Sequence, residues 1–267
     1  MAQKQAVADD ARTDHHAGLA ASHRGDLAAT PMLAAALATA LAAGDRRHAA
    51  LASAALLIEG QLRSAFHGFR EHIARLAVAR DARFRWRDAD DELLALAGLL
   101  IGLLFATPED GYIDDCAARV IALLERDVEV NLAFAAGRVL MFYAQPRENQ
   151  VLMQRVYAML KPSMQHAALA PHRLASYLMH WARVVRYAKD PRQADAVLRE
   201  TRRLADAHGL DDIRYWIAFH EVEQSLPSRN VAEAERALAA AEAYADPARL
   251  GDLPRLEFLK TKVATLK

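Results

Sequence analysis

Helix starts recur at a nearly constant interval through the last two thirds of the chain. Asp91, Asn131, Pro171, Asp211 and Asp252 open successive segments, 40, 40, 40 and 41 residues apart. Asp and Asn satisfy the free N–H groups of a first helical turn, and proline fits its first position. Each interval reads as a helix, a break, a second helix and a break. The internal breaks fall at Thr107–Gly111, Gln145–Pro146, Lys189–Pro191 and Leu226–Ser228. Such a period marks a repeat architecture, because one helix pair cannot bury its apolar stripe alone and must stack on the next. The spacing predicts an all-α fold: a right-handed superhelical solenoid of antiparallel helix pairs, about five tetratricopeptide-like units of ~40 residues.

The stripes support this. Ala194, Val197, Leu198, Thr201, Leu204 and Ala205 follow one helical face, as do Val231, Ala234, Leu238 and Ala241, and Ile113, Ala117, Val120 and Leu124. Runs of alternating apolar and polar residues between turn signals are lacking, so strands are not expected. Thr30-Pro31 reads as a cap before a lone first helix, Pro31–Ala43, and His208-Gly209 as a helix stop. The last helix, Leu253–Leu266, carries Leu256, Leu259, Val263 and Leu266 on one face with no later helix to cover them. These four are therefore expected to mediate self-association. Residues 1–29 show no sustained apolar period and read as a disordered tail, leaving 30–267 as the helical-repeat domain. His15, His16 and His23 in that tail could offer imidazoles to a metal. A solvated tail positions none of them, and no metal or other cofactor is expected.

Charge and composition narrow the partners. The chain has 34 basic and 34 acidic side chains, which disfavours a dedicated nucleic-acid binder. A single cysteine, Cys116, fits a reducing cytoplasm, and the first residues lack the apolar core of a secretory signal. The longest apolar run, Leu93–Ala106, is 14 residues. A bilayer requires roughly 20, so the run reads as a buried helix and no membrane association is expected.

The segment Tyr177–Leu198 concentrates aromatic and basic side chains. On a helix, Tyr177, Trp181, Val184 and Ala188 share one face, and Leu178, Ala182 and Val185 form a second. A helix apolar on two faces is packed on two sides. The first face repeats 38 residues later as Tyr215, Phe219, Val222 and Leu226, while Ala133, Gly137, Leu140 and Ala144 supply small residues upstream. Trp181 and Phe219 therefore read as scaffold. His180, Arg183, Tyr187 and His220 lie at the edges of these faces and are the candidate ligand- or partner-binding residues.

Catalytic patterns fail on inspection. His220-Glu221 opens like a zinc-protease H-E-x-x-H, but position 224 is glutamine. No G-x-S-x-G elbow is present, and Cys116 falls on an apolar stripe. The reading is not an enzyme; an enzyme using a pocket in the solenoid is an alternative. A second alternative is nucleic-acid binding through Arg80, Arg83, Arg85 and Arg87, which interleave with Phe84 and Trp86. Asp88, Asp90, Asp91 and Glu92 follow at once, which favours a connection anchored by its two aromatics.

LAAALATALAAGD (Leu33–Asp45), AAGRVLMFYAQP (Ala135–Pro146) and YAKDPRQADAVLRETRRLADAHGL (Tyr187–Leu210) carry a resemblance. Over most of 31–267 the chain resembles the tetratricopeptide-like superhelical sensor regions of bacterial signalling ATPases and of maltotriose-dependent transcription activators. The resemblance implies a scaffold in bacterial signal transduction or transcription regulation that binds a small inducer or a protein partner. Three features depart from that pattern. The units run near 40 residues against about 34 for tetratricopeptide repeats. The Trp-Leu-Gly-Tyr signature is loose, and no phosphate-binding G-x-x-x-x-G-K-[ST] loop is present.

Overall fold

The helix starts seen in the sequence are real, but at Asp91 and Asn131 the capping side chains lie two or three residues upstream. In the computed structural model, which describes residues 2–62, 68–81, 83–187, 190–247, 249 and 252–266, with the side chains of 2–11, Tyr187 and Pro191 left outside, all regular elements are helical. They are α1 (Ala2–Arg24), α2 (Ala29–Ala43), α3 (Arg46–Leu62), α4 (Phe69–Arg75), α5 (Ala89–Ala106), α6 (Ile113–Leu124) and α7 (Val130–Ala144). There follow α8 (Gln150–Leu160), α9 (Pro171–Tyr187), α10 (Pro191–His208), α11 (Asp211–Ser225), α12 (Val231–Tyr244) and α13 (Asp252–Ala264). Asp88, not Asp91, caps α5 by accepting from the Asp91 N–H at 2.9 Å. Glu129 caps α7, accepting from Asn131 N at 3.0 Å and Leu132 N at 2.7 Å. Thr30 caps nothing, because α2 already begins at Ala29. Gly209 ends α10 at φ 63°, a left-handed conformation that glycine adopts at little cost. No described helix is long and apolar enough to cross a membrane.

The described residues up to Tyr177 form one compact unit and those from Leu178 onward a second. In the first, α3 and α5 are the central pair. α5 is buried without interruption from Leu93 to Leu103, with α3, α4, α6 and α7 around it. Gly98 sets the closest approach. A Cβ there would stand 2.4 Å from the Cα of Ala54, so only a missing side chain lets the two backbones meet. Gly137 does the same on α7, where an added Cβ would fall 2.4 Å from Leu160 Cδ1 and 3.2 Å from the Tyr177 ring. Gly137, one of the small residues of that face, thus receives large neighbours.

The disordered tail expected over 1–29 is not what the structure shows. Ala2–Arg24 is helical, and α1 packs on α2 and α3. Its buried positions are His15, Gly18, Ala21 and Ser22, with Leu19 half-buried. That is a helical stripe built from small and polar residues, which carries no apolar period. Gly18 makes it possible: a Cβ there would come within 2.8 Å of Leu33 Cδ2.

The second unit has its own core, in which Tyr215, Phe219 and Val222 of α11 and Ala234, Ala237 and Ala241 of α12 meet Leu256, Leu259 and Val263 of α13. The self-association expected of Leu256, Leu259, Val263 and Leu266 is therefore corrected. The first three are buried within the chain, and Leu266 packs half-buried against them. The stripe has a partner because α13 folds back onto both α11 and α12. Phe258 and Leu253, on the other side of α13, are the exposed apolar residues, at 54% and 46% exposure.

Two stability measurements follow from this packing. Leu259→Lys places an ammonium in the core of the second unit and should lower stability by about 3 kcal/mol or more in urea unfolding. A variant as stable as the parent but of lower mass by light scattering would restore the self-association reading. Trp181, buried at 4% exposure, should cost about 3 to 5 kcal/mol on replacement by alanine. A parent-like melting curve for Trp181→Ala would show that the indole is not part of the core.

Candidate functional site

Two of the four candidate binding residues come together. Arg183 on α9 and His220 on α11 line one cleft of about 560 Å³ in the second unit. Glu223, Leu226, Phe258 and Lys262 are among the other residues around it. Such a volume falls in the range of small-molecule sites, about 300 to 1,000 Å³. His180 is buried and does not line this cleft. The Tyr187 side chain lies outside the described residues.

Each lining group has an identifiable electrostatic state. His220 is buried, and its Nδ1 stands 2.9 Å from Glu223 Oε2, one helical turn away. Burial lowers the imidazole pKa and the Arg183 charge lowers it further, against the opposing pull of Glu223. The neutral ring therefore donates its Nδ1 hydrogen to the carboxylate, which leaves Nε2 as an acceptor. Burial alone would raise Glu223, but the bond from His220 and the nearby Arg183 outweigh it and hold the carboxylate ionised. Arg183 is half-buried and has no ion-pair partner among the described residues. Arg186 pairs with Asp195. Lys262 is exposed, with its Nζ 5.3 Å from the centre of the Phe258 ring. The cleft thus joins the Arg183 guanidinium and the Lys262 ammonium, two cations against the one Glu223 carboxylate, to an apolar wall of Phe258, Leu226 and Pro227.

A neighbouring cleft between α10, α11 and α12, about 400 Å³, is different in kind. Its charges neutralise one another: Arg202 pairs with Glu221, and Arg214 with Asp206 at 2.9 Å and Asp211 at 2.7 Å.

No protein-family model, curated protein or solved structure matches the chain. The site therefore has to be argued from its own geometry. Glu223, Phe258 and Lys262 were not singled out in the sequence. The spacing His220-x-x-Glu223 is a legible signal, since it puts both side chains on one face of a helix. Phe258 and Lys262 belong to a different helix, and only tertiary packing brings them to the cleft.

The other candidate chemistry resolves locally. The Cys116 thiol is buried against the Leu96 carbonyl at 3.3 Å, and burial pushes its pKa up to about 12, far from nucleophilic range. In the arginine stretch, Arg80 pairs with Asp110 at 2.6 Å and Arg87 with Asp88 at 2.7 Å. Phe84 and Trp86 are half-buried and stack edge to face, 4.7 Å between centroids. Phe84 lines a cleft with Leu41, Ala49 and Val78, as an anchor would.

The histidines at 15, 16 and 23 are held on α1, and no group of three or more metal-ligating side chains occurs among the described residues. His15 is buried, and its pKa falls to about 3 through burial, with the charges of His16, His48 and Arg87 adding to it. His23 also falls to about 3, through burial first and then Arg173, Arg24 and His172. Both folded-state values lie below the ordinary 6.5, so the unfolded chain takes up protons that the folded chain refuses. Stability is fully present above pH 6.5 and is lost as pH falls from there toward 3. At pH 5 each histidine should cost about 2 kcal/mol. Comparison of urea unfolding at pH 7 and pH 5 should show His15→Leu losing about 2 kcal/mol less than the parent. Equal losses in the two proteins would rule out His15 as a source of the acid sensitivity.

Proposed function

We propose that this chain is a non-catalytic binding scaffold whose cleft in the second unit takes a small amphipathic carboxylate. The single observation carrying this is the pairing of Arg183, a half-buried guanidinium with no ion-pair partner among the described residues, with an apolar wall of Phe258, Leu226 and Pro227. A ligand carboxylate would receive a charge-assisted hydrogen bond from Arg183 and the attraction of Lys262, while its apolar body covers Phe258. His220 Nε2 could accept from a ligand hydroxyl or amide. No hydroxyl or thiol side chain is among the described lining residues, which supports binding over nucleophilic catalysis.

The finer architecture belongs to the same proposal: a superhelical, tetratricopeptide-like array of helix pairs. What supports it is that helix starts about 40 residues apart are tied side by side. Asp90 accepts from the Glu129 N–H at 2.8 Å, and Asn131 bridges Ala168 and Ala170 ahead of α9 at 3.0 and 2.8 Å. A ligand sensor in bacterial signal transduction or transcription regulation, working in the cytoplasm, is the role in which we place it.

Octanoate serves as the test ligand in isothermal titration calorimetry. The parent should bind one equivalent saturably, and Arg183→Gln should weaken binding at least tenfold, since charged hydrogen bonds contribute about 1.5 to 3 kcal/mol. Absence of octanoate binding by the parent, or equal affinity in the variant, would remove the cleft as a carboxylate site.

A further inference from the structure

Four helices of the first unit send polar side chains into its interior. Ser22 comes from α1, Glu59 from α3, Arg138 from α7 and Arg173 from α9, and their exposures are 2%, 1%, 2% and 3%. Arg173 has partners on two of its three nitrogens. Its Nη2 lies 3.6 Å from Glu59 Oε1 and donates to the Ser22 hydroxyl, which in turn donates to Glu59. Its Nε donates to His23 Nδ1 at 3.1 Å.

Arg138 is not provided for in this way. It heads the largest fully buried side chains of the molecule. Its Nε and Nη2 have no acceptor among the described residues. These two atoms form the side-on edge of the guanidinium, whose parallel N–H groups match the two oxygens of a carboxylate. The Cζ of the same group lies over the Phe142 ring, 5.9 Å from its centre. Two guanidiniums and one carboxylate leave a net charge of +1 in a water-poor interior. An uncompensated buried charge is among the costliest features a fold can carry.

We infer that the side-on edge of Arg138, next to Arg173 and Glu59, is a binding site for a small monocarboxylate. One negative charge balances the cluster, whereas a dianion would overshoot it. The fork geometry selects two coplanar oxygens over a spherical halide. Burial and the Arg173 charge pull the Arg138 pKa down to about 9, against the opposing Glu59, and an incoming anion would offset both. Neutral His23 and the buried His172 also border the cluster and neither is an anion; the Glu129 carboxylate lies beyond His23, 3.8 Å from its Nε2, and caps α7.

Formate, the smallest carboxylate, is the probe, with the full chain melted in formate or chloride at equal ionic strength. Formate at tenfold its dissociation constant should raise Tm by about 3 to 6 °C, saturably, and chloride should not. Arg138→Met should abolish the formate effect. It is expected to fold, since an apolar chain of similar length removes the uncompensated charge. Arg183→Gln should keep the effect in full, which separates this site from the cleft of the second unit. If Arg138→Met does not fold, equilibrium dialysis of labelled formate against the parent decides: one retained equivalent supports the site, and none overturns it. Equal Tm in formate and chloride, or a formate response that survives in Arg138→Met, would mean that solvent alone completes Arg138.

Discussion

The contact between Gly98 and Ala54 governs the first unit. Two helices whose backbones meet at a missing side chain gain dense packing, but they lose any freedom to shift. α5 is then enclosed along eleven residues, Leu93 to Leu103, and α3 has α1, α2, α4 and α5 around it. A carboxylate that α3 carries near its end, Glu59, has no route to solvent. It must be answered from inside, and Ser22 and Arg173 answer it. The buried polar cluster is thus a consequence of close packing around α3, and the docking of α1 is part of the same arrangement, since Ser22 and His23 are α1 residues.

The two units handle positive charge in opposite ways. In the second, the half-buried Arg183 and the exposed Lys262 line a cleft, where water screens them. In the first, Arg138 is enclosed, so its charge acts at full strength on its neighbours and on anything that enters. Exposed charge gives a site its selectivity at little cost in stability. Enclosed charge couples occupancy to the stability of the whole unit.

Much of the helical organisation was legible. The 14-residue run at Leu93 became a buried helix, the breaks at Pro146 and Pro227 fell between helices, and Gly209 ended α10. Caps were read two or three residues late at Asp91 and Asn131, because neighbouring acid and amide side chains can all cap and only backbone geometry selects one. α1 was missed for a different reason. Its buried stripe, His15, Gly18, Ala21 and Ser22, has little hydrophobicity to show, and its packing rests on the closeness that Gly18 allows.

The sequence by itself determined that the chain is helical, where most helices begin and end, and which faces are apolar. These depend on local propensity and on residues three or four apart, which a linear text records. Tertiary structure decided what each apolar face meets and which polar groups share a space. Leu259 looked free because the chain ends soon after it, yet α13 turns back and buries it on α11 and α12. Arg138 carries no mark in the sequence, yet it is enclosed with Arg173, 35 positions further along, and with Glu59, 79 positions before it. Burial and long-range proximity are properties of the packed whole, and no local pattern encodes the loss of water that gives those charges their strength.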